Sequence, residues 1–130
     1  MQKIFFIFVL ISATLMSKAQ DIGYATFYGA KFNNRKTASG EIYRKDSLVC
    51  AHKTFPFGTI LKIKNLENDK EVIVRVIDRG PFRKKFVIDL SYAAAKQLEM
   101  VRKGVVKVAI SEQKTEILPF LPADTVFSLK

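Results

Sequence analysis

Short β-strand patterns separated by turn residues run through most of this chain and constrain its fold more than any other feature. Segment 59–65, TILKIKN, alternates apolar residues with Thr and Lys, which is the period of a half-buried strand. Asn68 and Asp69 follow it and predict a hairpin turn into the next strand. The predicted strands are GYATFYG (23–29), SLVCAH (47–52), TILKIKN (59–65), KEVIVRVID (70–78), FVIDL (86–90) and VVKVAIS (105–111).

One segment, SYAAAKQLEMV (91–101), has a helical pattern. Ser91 is its expected N-cap, Leu98 and Val101 its inner face, and Gly104 its stop. Six short strands and one helix predict a mainly β protein, a small six-stranded closed barrel rather than an open sheet, because closure removes the exposed sheet edges that promote aggregation.

The N-terminal segment predicts export. Residues 1–19 combine Lys3, an apolar run from Ile4 to Leu15 and small residues near Ala19, the pattern of a secretory signal peptide cleaved after Ala19. The alternative is a membrane anchor, but a spanning helix needs roughly 20 apolar residues. No cysteine lies near the cleavage point, so we expect a periplasmic or cell-envelope protein without lipid anchor or stable membrane insertion. Residues 20–112 then form the barrel domain and 113–130 a C-terminal tail.

The single cysteine and the basic charge narrow the range of functions. Cys50 lies in the apolar run LVCAH, which predicts a buried, inert thiol and a fold held by its hydrophobic core without disulfides. The whole chain carries a net charge of +10. Such an excess favours polyanionic partners, and export argues against nucleic acid. A solvated surface explains the charge equally well at this stage.

Three glycine-containing stretches hold the polar residues that could carry chemistry: TASGE (37–41), AHKTFPFGT (51–59) and IDRGPF (77–82). Glu41, His52 and Asp78 are their candidates for acid–base chemistry. Each has a structural alternative: Asp78 could bond its own turn, Glu41 could pair with Arg44, and a lone histidine at a strand end is more often structural. One His and one Cys offer neither metal-site spacing nor a Cys–His dyad, so we expect no metal and no cofactor.

The same motifs carry a resemblance to a known family. TASGE, AHKTFPFGT, an N-L-x-N hairpin, V-x-D-R-G-P-F and I-D-L-S follow one another in order between Gly23 and Ile110. This run resembles the rare lipoprotein A family of septal-ring lytic transglycosylases. The resemblance implies a double-psi β-barrel, the fold of expansins and barwin-like proteins. It also implies a lyase that cleaves peptidoglycan strands internally, preferentially those stripped of stem peptides, with Glu41, His52 and Asp78 on the family's functional acid, histidine and aspartate.

The family often carries a lipid-anchoring cysteine and a C-terminal peptidoglycan-binding repeat, neither of which this chain shows. A lytic transglycosylase breaks the β-1,4 bond after N-acetylmuramic acid and forms a 1,6-anhydro ring. Asp78 is then the expected acid/base, with its pKa raised by burial against an apolar wall such as Phe82 and with Arg79 turned away from it. Glu41 would bond the sugar, His52 would orient one of the acids, and Asp89 would cap the helix or brace the barrel.

Residues around these groups are expected to bind the substrate, a glycan strand met by a monomeric enzyme. The predicted binding residues are Tyr28, Ser39, Tyr43, Phe57, Arg79 and Phe82. Bare strands expose the lactyl carboxylate of each muramic acid, so basic residues in a groove would attract them. Two other functions stay open: a non-catalytic, expansin-like wall-binding module, and a barwin-like protein directed at other polysaccharides.

Overall fold

The computed structural model describes residues 20–114, so the predicted signal peptide and the tail beyond residue 114 lie outside the described residues. Six strands and one α-helix form in the described range. They are β1 (Asp21–Phe27), β2 (Val49–His52), β3 (Ile60–Asn65), β4 (Glu71–Asp78), β5 (Phe86–Leu90), α1 (Tyr92–Gln97) and β6 (Val106–Glu112). Each of the six predicted strands is confirmed to within a few residues.

The six strands close into a barrel in the order β1-β5-β2-β4-β3-β6, which confirms the predicted fold class. The β1–β5 and β2–β4 pairs are parallel, and the other neighbouring pairs are antiparallel. At the predicted hairpin between β3 and β4, the Asn68 side chain accepts from the Lys70 N–H and Asp69 adopts a φ of 62°. The turn chemistry predicted from the sequence is therefore present.

The barrel encloses one main core, against which the inner face of α1 packs. Cys50, Val76, Ile88 and Leu90 are fully buried there, and Ala94 and Ala95 add the inner face of the helix. Cys50 is thus a buried thiol, as predicted, and burial raises its pKa to about 12. None of the helices described has the length and apolarity needed to cross a bilayer.

The helix begins as predicted and ends earlier than predicted. Ser91 is the N-cap, and its hydroxyl accepts from the Ala94 N–H. The prediction of a helix to Val101 is wrong, because Glu99 adopts a left-handed φ of 53°. The Leu98 carbonyl accepts instead from the side-chain amides of Asn65 and Asn68. These distant amides satisfy a carbonyl that would otherwise be left unpaired at the helix end.

Candidate active site

A row of polar residues crosses the outer face of the barrel wall. Ala51 of β2 pairs with Asp78 of β4 on one side and with Asp89 of β5 on the other, and Asp89 pairs in turn with Thr26 of β1. Side chains alternate across a strand, and the neighbours Cys50, Ile88 and Leu90 point into the core. Asp89 and Thr26 therefore point away from the core, and Ala51 lies between Asp78 and Asp89 in the strand pairing.

This row opens onto a cavity of about 470 Å³. The cavity lies between the chain after β1 and the loop after β4, so both of its walls come from strand ends. It is lined by Thr26, Phe27, Tyr28, Gly29, Phe32, Asp78, Arg79, Gly80, Pro81, Phe82, Arg83, Phe86 and Asp89. A cavity of this size suits a ligand such as one or two sugar rings.

Asp78 is half-buried and is held by three donors. Its Oδ2 accepts from the Tyr28 hydroxyl at 2.5 Å, and its Oδ1 accepts from the backbone N–H groups of Ala38 and Arg79, both at 2.9 Å. A turn residue that bonds its own loop would explain the Arg79 contact alone. Bonds to residues forty and fifty positions away fix the carboxylate in one orientation beside the cavity.

Asp89 is the second carboxyl group of the cavity. Its Oδ1 accepts from the Thr26 hydroxyl, which ties β5 to β1. Burial raises the pKa of Asp89, the Thr26 bond opposes this, and the charge of Asp78 raises it further. The expected bracing of the barrel is confirmed, and the alternative of a helix cap is wrong because Ser91 caps α1.

Tyr28 joins the carboxylate to a small aromatic cluster. Its ring centre lies 4.4 Å from that of Tyr43 and 5.8 Å from that of Phe32. Burial raises the pKa of Tyr28, and the bond to Asp78 raises it further, so the phenol stays protonated and donates. Tyr43 itself is 2% exposed, and its hydroxyl accepts from the Tyr92 N–H, so its ring supports Tyr28 from behind.

Glu41 lies outside this cavity and pairs with Arg75 rather than Arg44. Two bonds of 2.6 Å join its carboxylate oxygens to the Arg75 guanidinium, which lowers the pKa of Glu41. In the same loop, Thr37 donates through its hydroxyl to the Ile77 carbonyl, and the Ser39 N–H donates to the same oxygen. These contacts dock loop 36–42 against β4, where its Ala38 N–H reaches Asp78.

His52 is buried and organises the loop that follows β2. Its Nδ1 accepts from the N–H groups of Thr54 and Phe55, both at 3.1 Å, so the proton of the neutral ring lies on Nε2. Burial lowers the pKa of His52; the charge of Asp21 opposes this, and the charges of Arg79 and Lys53 add to the lowering. Its ring does not line the cavity, and the described hydrogen bonds do not join it to Asp78 or Glu41.

Arg79 turns away from the Asp78 carboxylate, as predicted. Its Nη1 donates to the carbonyls of Phe55 at 2.8 Å and His52 at 3.3 Å, and its guanidinium lies 4.1 Å from the centre of the Phe57 ring. The loop folded around His52 therefore fixes Arg79. Arg79 in turn presents its backbone N–H to Asp78.

The remaining predicted binding residues are distributed along the rim. Phe57 is 43% exposed, and the Ser39 hydroxyl bonds locally to Thr37 and to the Glu41 N–H. Phe82 is 91% exposed, so the prediction that it forms a burying wall against Asp78 is wrong. A side chain so exposed leaves the carboxylate in contact with solvent and is itself free to meet a ligand.

Sequence reasoning missed Thr26 as a site residue and did not assign Asp89 to the cavity. A signal for both is present, because strict alternation in ATF and FVIDL places these residues opposite core positions. A polar side chain between two buried apolar neighbours on a strand points outward. That Thr26 and Asp89 lie side by side, however, follows only from the pairing of β1 with β5.

Comparisons with known proteins agree with this fold and with the predicted family. Residues 20–110 match the model of the family described as "Lytic transglycolase". The chain is 54% identical over 84 residues to the "Probable endolytic peptidoglycan transglycosylase RlpA" of Aquifex aeolicus, covering 65% of this chain and 37% of that protein. It is 48% identical over 88 residues to the "Endolytic peptidoglycan transglycosylase RlpA" of Campylobacter jejuni, covering 68% and 32%. This chain thus spans about a third of the length of these curated relatives.

Solved structures share the fold at low sequence identity. The Streptomyces papain inhibitor is 22% identical with a TM-score of 0.60, over 75% of this chain and 96% of that one. The expansin of Clavibacter michiganensis is 19% identical with a TM-score of 0.58, over 74% and 51%. These neighbours are double-psi β-barrels, which confirms the expected fold. Among residues 20–114, no group of His, Cys, Asp or Glu side chains has the arrangement of a metal site.

Proposed function

The chain belongs to the lytic transglycolase family, and we propose that it cleaves peptidoglycan strands internally as a lytic transglycosylase. The bond broken is the β-1,4 bond between N-acetylmuramic acid and N-acetylglucosamine, and the product carries a 1,6-anhydro ring. The observation that carries this proposal is the pair of carboxyl groups, Asp78 and Asp89, on a single cavity of saccharide size.

The reaction needs one group that gives a proton and then takes one back. The C6 hydroxyl of the muramic acid attacks its own C1, the bond from C1 to the leaving oxygen breaks, and that oxygen receives a proton. The catalytic carboxylate then removes the proton of the attacking hydroxyl, so no water is consumed. We assign this exchange to Asp78, whose carboxylate lines the cavity in a fixed orientation. Positioned proton transfer of this kind contributes roughly 10²–10⁴-fold.

Asp89 supplies the second carboxyl group of the cavity. Burial raises the pKa of Asp89, and the charge of the neighbouring Asp78 raises it further. Asp89 therefore keeps its proton to a higher pH than an exposed aspartate does. Asp89 thus brings to the cavity a carboxyl group that holds its proton more strongly than usual, beside the carboxylate to which the proton exchange is assigned.

Glu41 and His52 act on Asp78 through the loops that they hold. The Glu41–Arg75 pair docks loop 36–42, which supplies the Ala38 N–H, and His52 shapes the loop that anchors Arg79. We therefore expect Glu41→Gln to reduce turnover by less than Asp78→Asn does. A loss as large as that of Asp78→Asn would place Glu41 in direct contact with the sugar instead.

The preferred substrate in this proposal is a strand without stem peptides. Such a strand carries a lactyl carboxylate on each muramic acid, and the basic residue Arg83 lines the cavity. Attraction between a basic groove and a polyanion weakens as salt is added. Envelope location, export and a monomeric state belong to the same proposal.

The decisive experiment is a product assay on purified glycan strands. The protein without residues 1–19 is incubated with bare strands and with peptide-bearing murein, and the products are examined by mass spectrometry for 1,6-anhydro ends. We expect anhydro products, more of them from bare strands, and a loss of at least about 100-fold in Asp78→Asn. Asp46→Asn, an exposed aspartate that does not line the cavity, is the matched control.

Two results would overturn the proposal. Full activity in Asp78→Asn would remove the assigned acid/base. Co-sedimentation of the wild-type protein with glycan strands without anhydro products would instead identify the non-catalytic, expansin-like binding module.

A further inference from the structure

A second cavity, of about 410 Å³, adjoins the first. It shares Phe27, Tyr28 and Gly29 with the first cavity and extends away from the two aspartates toward the start of α1. Its own lining residues are Ala30, Tyr43, Lys45 and Tyr92. A polymer that crosses Asp78 and continues past Tyr28 therefore enters this second cavity.

The lining of the second cavity combines aromatic rings with one positive charge. Phe27 and Tyr92 lie with their ring centres 6.3 Å apart, and Tyr92 is 36% exposed. The chain position of Lys45 is fixed, because its N–H donates to the Asn33 side chain and its carbonyl accepts from the Ala93 N–H. The ion pairs found among the described residues do not include Lys45.

We propose that the second cavity is a glycan subsite that binds a sugar ring carrying a carboxylate, with Lys45 contacting the carboxylate and Tyr92 packing on the ring. The ligand class is a bare muramyl residue of the same strand that crosses Asp78, so this inference rests on the proposed function. An apolar ring face with a separate acidic substituent matches an aromatic lining with a single ammonium group. A neutral sugar polymer would leave Lys45 without a partner.

Gly29 lies on the passage between the two cavities and allows a steric test. It has an ordinary extended backbone, with φ −68° and ψ 157°, and a Cβ added there meets no atom within 4 Å. A larger side chain is therefore compatible with the fold and would occupy the passage. We expect Gly29→Phe to weaken binding of long glycans strongly, and Gly29→Ala to weaken it less.

The charge test measures binding by calorimetry in the Asp78→Asn protein, so that the ligand is not consumed. The ligands are bare glycan fragments long enough to cross both cavities and N-acetylglucosamine oligomers of equal length, which lack the lactyl carboxylate. We expect Lys45→Gln to weaken binding of the bare fragments about two- to fivefold, as for one exposed ion pair, and to leave the uncharged oligomers unchanged. Lys107→Gln, an exposed lysine that lines neither cavity, is the control.

The aromatic test separates ring packing from the hydroxyl group. Tyr92→Leu is expected to weaken the binding of both ligands, whereas Tyr92→Phe is expected to bind both with wild-type affinity. Equal affinities in Lys45→Gln and Lys107→Gln would overturn the subsite, even if anhydro products form and the proposed function stands. Lys45-dependent binding without any anhydro product would retain the subsite and remove the proposed chemistry.

Discussion

At the scale of single residues, hydrogen bonds from three separate segments of the chain converge on the Asp78 carboxylate. TASGE reaches Asp78 through the Ala38 N–H, and AHKTFPFGT reaches it through carbonyls that hold Arg79. Glu41 and His52, which stand out in the sequence, thus hold the loops around Asp78 and do not themselves line the cavity. Asp89, which stands out less, lines it directly.

The pKa of His52 predicts an acid-sensitive component of stability. Burial lowers this pKa in the folded protein, whereas the unfolded chain titrates near the ordinary value of about 6.5. The stabilisation from the neutral ring is therefore fully present above that value and is lost as the pH falls through the folded pKa. Melting temperatures from pH 7.5 to 4.5 should fall less steeply in His52→Asn than in the wild type. Parallel curves would contradict the assignment.

The pKa of Asp89 predicts the opposite trend. Burial and the Asp78 charge raise this pKa in the folded protein, so both states are protonated below the ordinary value of about 3.9. As the pH rises through the folded pKa, stability is lost because a buried carboxyl group must ionise. Asp89→Asn should therefore gain stability over the wild type between pH 3.5 and 7 in denaturant titrations, while activity falls. A gain of the same size in the exposed Asp46→Asn control would show that the effect is not specific to Asp89.

At the scale of elements, the strand ends and the contacts between strands place the site. The parallel β2–β4 pair brings Asp78 beside Ala51, and the antiparallel β2–β5 pair brings Asp89 to the other side. The β1–β5 pair, which places Thr26 beside Asp89, includes a point where a small residue permits close approach of the two strands. Gly23 of β1 is such a point, facing Val87 of β5.

A side chain at Gly23 should destabilise the β1–β5 pair. A Cβ there would lie 2.4 Å from Cγ1 and 2.9 Å from Cγ2 of Val87. Both methyl groups are attached directly to the Cβ of valine, so the side chain is too short and rigid to move them away. We expect Gly23→Ala to cost about 1–3 kcal/mol of unfolding free energy, as overpacking does. Val87→Ala in the same chain should recover part of that loss, measured by chemical denaturation. Additive losses in the double variant would rule out the clash.

At the scale of the whole molecule, closure of the barrel shields its centre from solvent. Cys50 of β2 pairs with Val76 of β4 and Leu90 of β5 and is 0% exposed. The thiol therefore becomes accessible only when the barrel opens as a unit. The reactivity of Cys50 therefore reports global unfolding.

Labelling of Cys50 should follow global unfolding. Burial raises the pKa of this thiol to about 12, so both access and thiolate formation are suppressed in the folded protein. Under native conditions at pH 8 we expect a thiol reagent to react at least about 10³-fold more slowly than with the unfolded chain. The rate should rise with denaturant in parallel with the loss of circular dichroism. Rapid labelling in the folded protein would indicate local opening of β2.

The sequence alone determined the strands, the start of the helix and the barrel, because alternation, turn residues and caps act over a few neighbouring positions. Asp78 was singled out by its motif's resemblance to the family, and its catalytic role stays a proposal. The tertiary structure decided what faces Asp78. The Tyr28–Asp78, Thr26–Asp89 and Arg75–Glu41 bonds join residues 50, 63 and 34 positions apart, and the amides of Asn65 and Asn68 set where the last turn of the helix ends. Local periodicity carries no information on such contacts, since they form only when the strands close into the barrel.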